Sequence, residues 1–305
     1  TDAAVVARVM GGEKAVLLFT SPPYAQQRDY KKRIDNWDRL MQGCFQSVQM
    51  EENGQVLVNL GIVHVDGEWV PYWDNWIEWM RSVGWKRFGF YVWDKTFALP
   101  GDWNGRLAPA HEFIFHFCKQ KKRPRKVVRS KWAGKVIHEG DATGLRAADG
   151  SMSGWTHAGK ATQKWRIPES VARVEPPEFW HGAEAETEVE WFDIPQSVAR
   201  VSPAMGGVDG HPAPFSVALA SWAVDPWSEI GEIVYEPFSG SGTTLIACER
   251  LGRRCRAVEI EPGYVAVALE RWATMTGRTP VLVEPAAAAH DAPGDDEDGD
   301  GDEER

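Results

Sequence analysis

The apolar run Ala15-Val16-Leu17-Leu18-Phe19 is halted by Ser21-Pro22-Pro23-Tyr24, and that halt constrains the fold more than any other feature of the chain. A short continuous apolar run bounded by turn signals reads as a buried strand. Two consecutive prolines cannot continue a ladder, because each lacks an N–H and fixes its own φ. The chain must leave the sheet as a rigid, extended corner. That corner carries a hydroxyl (Ser21), at least one backbone carbonyl and an aromatic face (Tyr24). Such groups can hold a planar base and accept hydrogen bonds from its exocyclic amine. Alone, Pro-Pro-Tyr more often marks a turn or a partner-binding segment, so its meaning depends on what else the chain supplies.

A second site lies far downstream at Glu236-Pro237-Phe238-Ser239-Gly240-Ser241-Gly242-Thr243-Thr244. Residues 232–235 before it read as a strand and residues 245–251 after it as a helix. A strand, a glycine-rich turn and a helix start together form a nucleotide-type pocket. Gly240 and Gly242 allow close backbone approach to a ligand, and Thr243 and Thr244 are suited to capping the helix and donating hydrogen bonds. Residues 256–260 read as a further strand, with Glu259 where an acid would meet ribose hydroxyls. A phosphate-gripping loop needs a lysine before the Ser/Thr pair, and a dinucleotide fingerprint needs a third glycine where this chain has Leu245. A nucleoside ligand without a pyrophosphate fits better, and S-adenosylmethionine is one.

In this combination and order, the chain resembles the amino-methylating DNA methyltransferases of the permuted type, in which the catalytic motif precedes the cofactor motif. Thr20 to Tyr24 match the catalytic motif, Phe238 to Gly242 the cofactor loop and Glu259 the ribose-binding acid. His211-Pro212-Ala213-Pro214-Phe215 matches a segment that walls the cofactor, and Asp2-Ala3 resembles an adenine contact lacking its expected glycine. Trp93-Asp94-Lys95 and His111 to Phe117 resemble two further stretches of the catalytic half. The resemblance covers residues 1–118 and 203–275. It implies an α/β, Rossmann-like fold with a mostly parallel twisted sheet flanked by helices. It also implies catalytic Ser21, Pro22, Pro23 and Tyr24. Cofactor contacts would come from Asp2, Thr20, Pro214, Phe215, Glu236, Phe238, Ser239, Gly240, Ser241, Gly242, Thr243, Thr244 and Glu259. The implied cofactor is S-adenosylmethionine, the implied partner is double-stranded DNA, and no metal is expected. A homodimer and a restriction-endonuclease partner are left open.

The net charge of −10, taken alone, argues against a polyanionic partner, but its distribution reverses that conclusion. From Asp291 onward there are nine acids and one arginine, so this stretch carries −8 and the rest of the chain only −2. Between Lys119 and Arg166, 13 Lys/Arg face three acids, a local excess of +10. Local fields govern encounter with nucleic acid more than the total does. The four cysteines show no close pairing suited to zinc, no apolar run approaches membrane length and no secretory leader is visible, which reads as a cytoplasmic protein with reduced thiols.

Four parts are expected: a catalytic half (1–118), a basic target-recognition insert (119–202), a cofactor half (203–284) and a disordered acidic tail (285–305). Strands are predicted at 15–19, 55–59, 87–93 and 112–117, and helices over 35–50 and 73–80. Tryptophans 73, 76 and 79 recur at three-residue steps, which favours core packing over base stacking. In the insert, Lys121, Lys122, Arg123, Arg125, Lys131 and Lys164 are candidate phosphate contacts. The insert also contains a duplication. Residues 167–174 (IPESVARV) recur as 194–201 (IPQSVARV), identical at seven of eight positions and 27 residues apart. Each copy reads as a short edge strand after a proline. The second copy, which leads into the cofactor-wall segment, is expected to be the one built into the catalytic domain.

The chemistry expected of the corner is direct methyl transfer to a flipped-out base. Ser21 Oγ and the Pro22 carbonyl would accept from the amine, Tyr24 would stack on the base and Pro23 would fix the corner. In the resembled family, serine at position 21 is associated more with cytosine N4, and aspartate or asparagine with adenine N6. Three alternatives stand beside this reading: adenine N6 as target, methylation of protein or RNA amides, and a DNA-binding module that has lost catalysis. Asn-Pro-Pro-Tyr after the cofactor loop would mark the protein and RNA enzymes. Here serine replaces asparagine and the order is reversed.

Overall fold

The computed structural model describes residues 3–24, 36–95, 106–107, 110–130, 133–136, 145–146, 152–153, 160–168, 170–172 and 216–283. Five strands alternate with helices around one sheet: β1 (Ala15–Thr20), β2 (Met50–Leu60), β5 (Lys86–Asp94), β12 (Ile233–Glu236) and β13 (Arg254–Ala257). β6 (His111–Cys118) lies between β5 and β2, and β11 (Val171–Ala172) forms one edge. The sheet order is β11-β5-β6-β2-β1-β12-β13. β6 pairs antiparallel with both neighbours, and every other pairing is parallel. Short accessory strands form three small two-stranded sheets: β3 (Val63–Val65) with β4 (Glu68–Val70), β7 (Val128–Arg129) with β10 (Trp165–Arg166), and β8 (Leu145–Arg146) with β9 (Met152–Ser153).

Helices cover both faces, as a parallel sheet requires. On one side α2 (Trp37–Gln46) and α3 (Asp74–Ser82) pack with α1 (Ala3–Met10) over Leu18, Val56, Val58 and Phe117. On the other, α4 (Val217–Val224) and α5 (Thr243–Leu251) cover Leu17, Phe19, Leu57, Ile114 and Val234. The alternation Leu17/Leu18/Phe19 across the two cores is the period-2 rule of a strand buried on both faces. Trp73 and Trp76 are buried and Trp79 is partly buried against the same core, so packing accounts for them.

Capping chemistry sets the helix bounds. The Asn36 side chain accepts from Arg39 N at 2.8 Å, starting α2 at residue 37, and Met50 already belongs to β2, so the helix is shorter than the 35–50 expected. Ser216 Oγ caps α4 through Leu219 N. α6 (Pro262–Thr276) opens on a proline and stops at Gly277, whose φ of 69° suits only glycine well. No described helix is long and apolar enough to cross a membrane.

Two expectations about the basic segment change. The first copy of the duplication supplies β11, with Val171 opposite Val92 and Ala172 opposite Trp93, so part of the predicted insert belongs to the main sheet. The second copy lies outside the described residues, as do His211 to Phe215 and the acidic tail. Lys122 and Arg125 are engaged within the fold. Lys122 Nζ donates to the Trp227 carbonyl at 2.9 Å. Arg125 binds Asp225, the Ser228 carbonyl and Glu229. Together with Arg253, which is 7% exposed and grips Asp225 and Ser228, they pin the start of the basic segment to the turn after α4. Lys121, Arg123 and Lys164 are exposed, and Lys131 lies outside the described residues.

Candidate active site

β1 sits between β2 and β12 and runs parallel to both, so the carboxyl ends of the three strands open at one edge. Ligands bind at such edges because the connecting loops diverge there. The edge collects residues from both ends of the sequence. Thr20 ends β1 and Glu236 ends β12. The Thr20 hydroxyl donates to the Glu236 carboxylate across 216 residues of chain. Strand pairing Leu17 to Val234 and Leu18 to Tyr235 fixes the same register. The proline corner and the glycine turn therefore emerge side by side.

Glu236 is 1% exposed. Its carboxylate also accepts from Thr244 Oγ1 at 2.8 Å and from Phe238 N at 3.1 Å. These donors favour the charged form, but burial outweighs them and lifts the carboxyl from an ordinary 4.5 to about 8. Glu236 is thus the staple that joins the corner, the turn and α5. Thr244 serves that staple rather than a cap. The N-cap of α5 is Gly242, with no side-chain cap bond. Gly242 has φ of 80°, and a Cβ there would meet Ala268 Cβ at 2.7 Å, so the glycine is required by its backbone and by the close approach of α6. Ser241 and Thr243 are buried too, and Arg271 holds the Ser241 carbonyl and hydroxyl. Ser239 N donates to the Val258 carbonyl at 3.0 Å.

Glu259 lies two residues beyond β13, which spans 254–257 rather than the 256–260 predicted. One of its oxygens accepts from Gly240 N at 2.7 Å, and the other from Ile260 N and Glu261 N at 2.9 and 3.0 Å. The carboxylate therefore shapes the turn and the approach to α6; Oε1 is filled by its two donors, and Oε2, with one, retains a lone pair for a hydroxyl donor.

The corner is held from beneath by residues that sequence reasoning did not assign. Tyr24 is 7% exposed and donates its hydroxyl to Glu112 Oε2 at 2.5 Å. Burial, then the Glu112 charge, hold the Tyr24 phenol well above its usual range. The ring packs against Gly61, where a Cβ would lie 2.7 Å from it. Tyr24 is therefore a buttress within the core, and the open stacking face expected of it is turned inward. Asn59 Nδ2 donates to Glu112 Oε2 at 2.6 Å and to Ser21 Oγ at 3.3 Å, and Lys95 forms an ion pair with Glu112. Trp37 Nε1 takes the Pro23 carbonyl at 2.8 Å, a contact that places α2 against the corner. Asp2, Pro214 and Phe215 lie outside the described residues.

A family model described as DNA methylase, covering N6 and N4 methyltransferases, matches residues 16–270. The chain belongs to this family. Among curated relatives, the type II methyltransferase M.SmaI of Serratia marcescens is 41% identical over 61 residues, covering 20% of this chain and 21% of the relative. M.XycI of Xanthomonas campestris pv. cyanopsidis is 23% identical over 209 residues, covering 68% and 51%. The matched stretches thus span between about a fifth and half of these relatives. Among solved structures, the cytosine-N4-specific PvuII DNA methyltransferase aligns with a TM-score of 0.55 at 17% identity, covering 85% of this chain and 80% of that one. M1.HpyAVI in complex with SAM aligns with a TM-score of 0.50 at 18% identity, covering 89% and 96%. At these identities the likeness is one of fold.

Asn59, Lys95 and Glu112 join the site because their strands deliver them to the same edge. Asn59 is near the carboxyl end of β2 and Lys95 follows β5, whereas Glu112 is near the start of antiparallel β6. The residues of 93–95 and 111–117 carried the resemblance, but no spacing rule in the sequence pointed to Glu112 as the partner of Tyr24.

Proposed function

We propose that this chain moves a methyl group from S-adenosylmethionine to the exocyclic amine of a base flipped out of DNA, with cytosine N4 as the target. The observation that carries the reading is the junction of the two motif loops through Thr20 and Glu236 at adjacent strand ends. The fit to the cofactor rests on the donor set. The Glu259 carboxylate borders a glycine turn that lacks a phosphate-binding lysine, while Glu236, which keeps its proton up to about pH 8, ties that turn to the corner. That set suits a nucleoside bearing a positive sulfonium and no phosphate. Glu259 would hold the ribose hydroxyls, the 238–242 turn would carry the backbone contacts, and Asp2, Pro214 and Phe215 would complete the wall. When bound, S-adenosylmethionine supplies an already activated methyl group.

The corner supplies orientation. Because Asn59 donates to Ser21 Oγ, the serine hydroxyl proton is directed to another acceptor, and the ring nitrogen beside the target amine is such an acceptor. The Pro22 carbonyl would then take a hydrogen bond from the amine, favouring rehybridisation as nitrogen gains the methyl group, and the proton that nitrogen loses would pass to solvent. The Tyr24–Glu112–Lys95 network keeps the corner from reorganising. Neutral Ser21 in place of an acid or amide supports cytosine over adenine. Lys121, Arg123, Lys131 and Lys164 would hold phosphates.

The test is a paired substitution. Ser21→Ala lowers turnover by about 10²–10³-fold with cofactor affinity unchanged, as for loss of one preorganised hydrogen-bonding group. Glu259→Ala weakens cofactor binding by about 1–3 kcal/mol in calorimetry. Mass analysis of nucleosides from the methylated DNA shows N4-methylcytosine. N6-methyladenine in its place transfers the reading to adenine, and equal loss of cofactor binding in both variants defeats the division of roles.

A further inference from the structure

We propose that residues 194–201 are a second, interchangeable edge strand for β5, competing with residues 167–174 for the same place in the sheet. The edge is defined by β11, whose two residues pair parallel with Val92 and Trp93, and by Val92 N donating to the Ser170 carbonyl at 3.3 Å. β5 pairs with β6 on its other side, so β11 alone covers this row of backbone groups among the described residues. An uncovered row is a template for any strand of compatible pattern. The chain carries such a strand. Residues 194–201 repeat residues 167–174 at seven of eight positions, and the serine, valine and alanine that make the pairing recur as Ser197, Val198 and Ala199.

The one difference, Glu169 against Gln196, precedes the paired residues. Both copies carry a proline two residues before the serine, Pro168 and Pro195, and proline disfavours helix at the residue before it. A parallel ladder reads backbone groups, so identical segments in the same register make the same hydrogen bonds. The connecting stretches do not decide between them strongly, because closure entropy varies only with the logarithm of loop length.

Exchange changes what the edge strand divides. With the first copy seated, the stretch between β6 and the edge ends at residue 170. With the second seated, that stretch grows by 27 residues and the stretch leading to α4 shortens by the same number. The basic segment therefore exists in two lengths anchored at one point. Its meaning for target choice rests on the DNA-methylation reading. The exchange itself is measured without any methylation assay, so the two can fail separately.

Two measurements test it on the full chain. Val92→Cys is combined with Val171→Cys or with Val198→Cys, and disulfides are mapped under oxidising conditions against the native thiols. Both pairs are expected to close. Closure of the 92–171 pair alone, or of the 92–198 pair alone, overturns the exchange. Separately, Ala172→Pro and Ala199→Pro each remove one copy's N–H donor. In hydrogen exchange, each single variant should reduce protection of the peptide containing Val92 by less than about threefold, and the double variant by about tenfold or more, with the β1 and β12 peptides unchanged as the fold control. A single variant as unprotected as the double overturns the proposal, and so does a double variant that keeps full protection.

Discussion

Glu236 gives the molecule a pH signature that can be calculated before it is measured. Its carboxyl sits at about 8 in the folded chain against an ordinary 4.5, because burial outweighs three hydrogen-bond donors. Between those values the folded state keeps a proton that the unfolded chain releases. Stability therefore falls as pH rises through this window. His116 acts in the opposite sense. It is 1% exposed between Tyr91 and Gln55, and burial lowers it from 6.5 to about 3. The unfolded chain then binds the extra proton, so stability rises with pH up to 6.5. The two contributions oppose each other from 4.5 to 6.5, and above 6.5 Glu236 acts without that opposition. Over the 1.5 pH units from 6.5 to 8, one proton corresponds to about 2 kcal/mol. Glu236→Gln keeps the shape, and Thr244 Oγ1 can turn to accept from the new amide. Urea unfolding at pH 6.5, 7, 7.5 and 8 should show a decline of this size in the parent beyond whatever decline the variant shows. Equal slopes in the two proteins would show that the Glu236 carboxyl is ionised in the folded state and would remove the electrostatic account of the staple.

The remaining predictions use neighbouring parts of the same edge. In a Glu236→Gln background, lowering pH from 6.5 to 4.5 should cost about 3 kcal/mol, and adding His116→Gln should abolish that loss in the same urea assay. Gly242→Ala should destabilise the fold by about 1–3 kcal/mol, and Ala268→Gly should recover the clash portion while leaving the cost of the positive φ, a pattern read from a double-mutant cycle of melting curves. Tyr24→Phe removes the bond to Glu112 and should cost about 1.5–3 kcal/mol of stability with cofactor affinity unchanged by calorimetry.

How much of this was legible in the sequence depends on the range of the forces involved. β1, α3, α5 and the glycine turn were readable because their signals are local: an apolar run, a three-residue aromatic step, a turn that needs φ above zero. The corner and the turn could be matched across more than 200 residues because proline and glycine are restrictive in themselves. Glu112 and Asn59 were not readable as site residues, since nothing local separates a carboxylate at the mouth of a site from one on a solvated strand. Their place follows from β6 running antiparallel between β5 and β2, which brings its amino end to the carboxyl ends of its neighbours. Tyr24 is a further instance: the motif fixes the residue type, whereas Gly61, leaving room for the ring, decides which way it faces. Lys122 and Arg125 make the converse point. Their charge placed them with the phosphate-binding candidates, but carboxylates and carbonyls after α4 took them first. The duplicated segment follows the same rule. Its pattern announces an edge strand twice, and only the pairing partner, β5, can distinguish one copy from the other, which identical backbone chemistry leaves it poorly equipped to do.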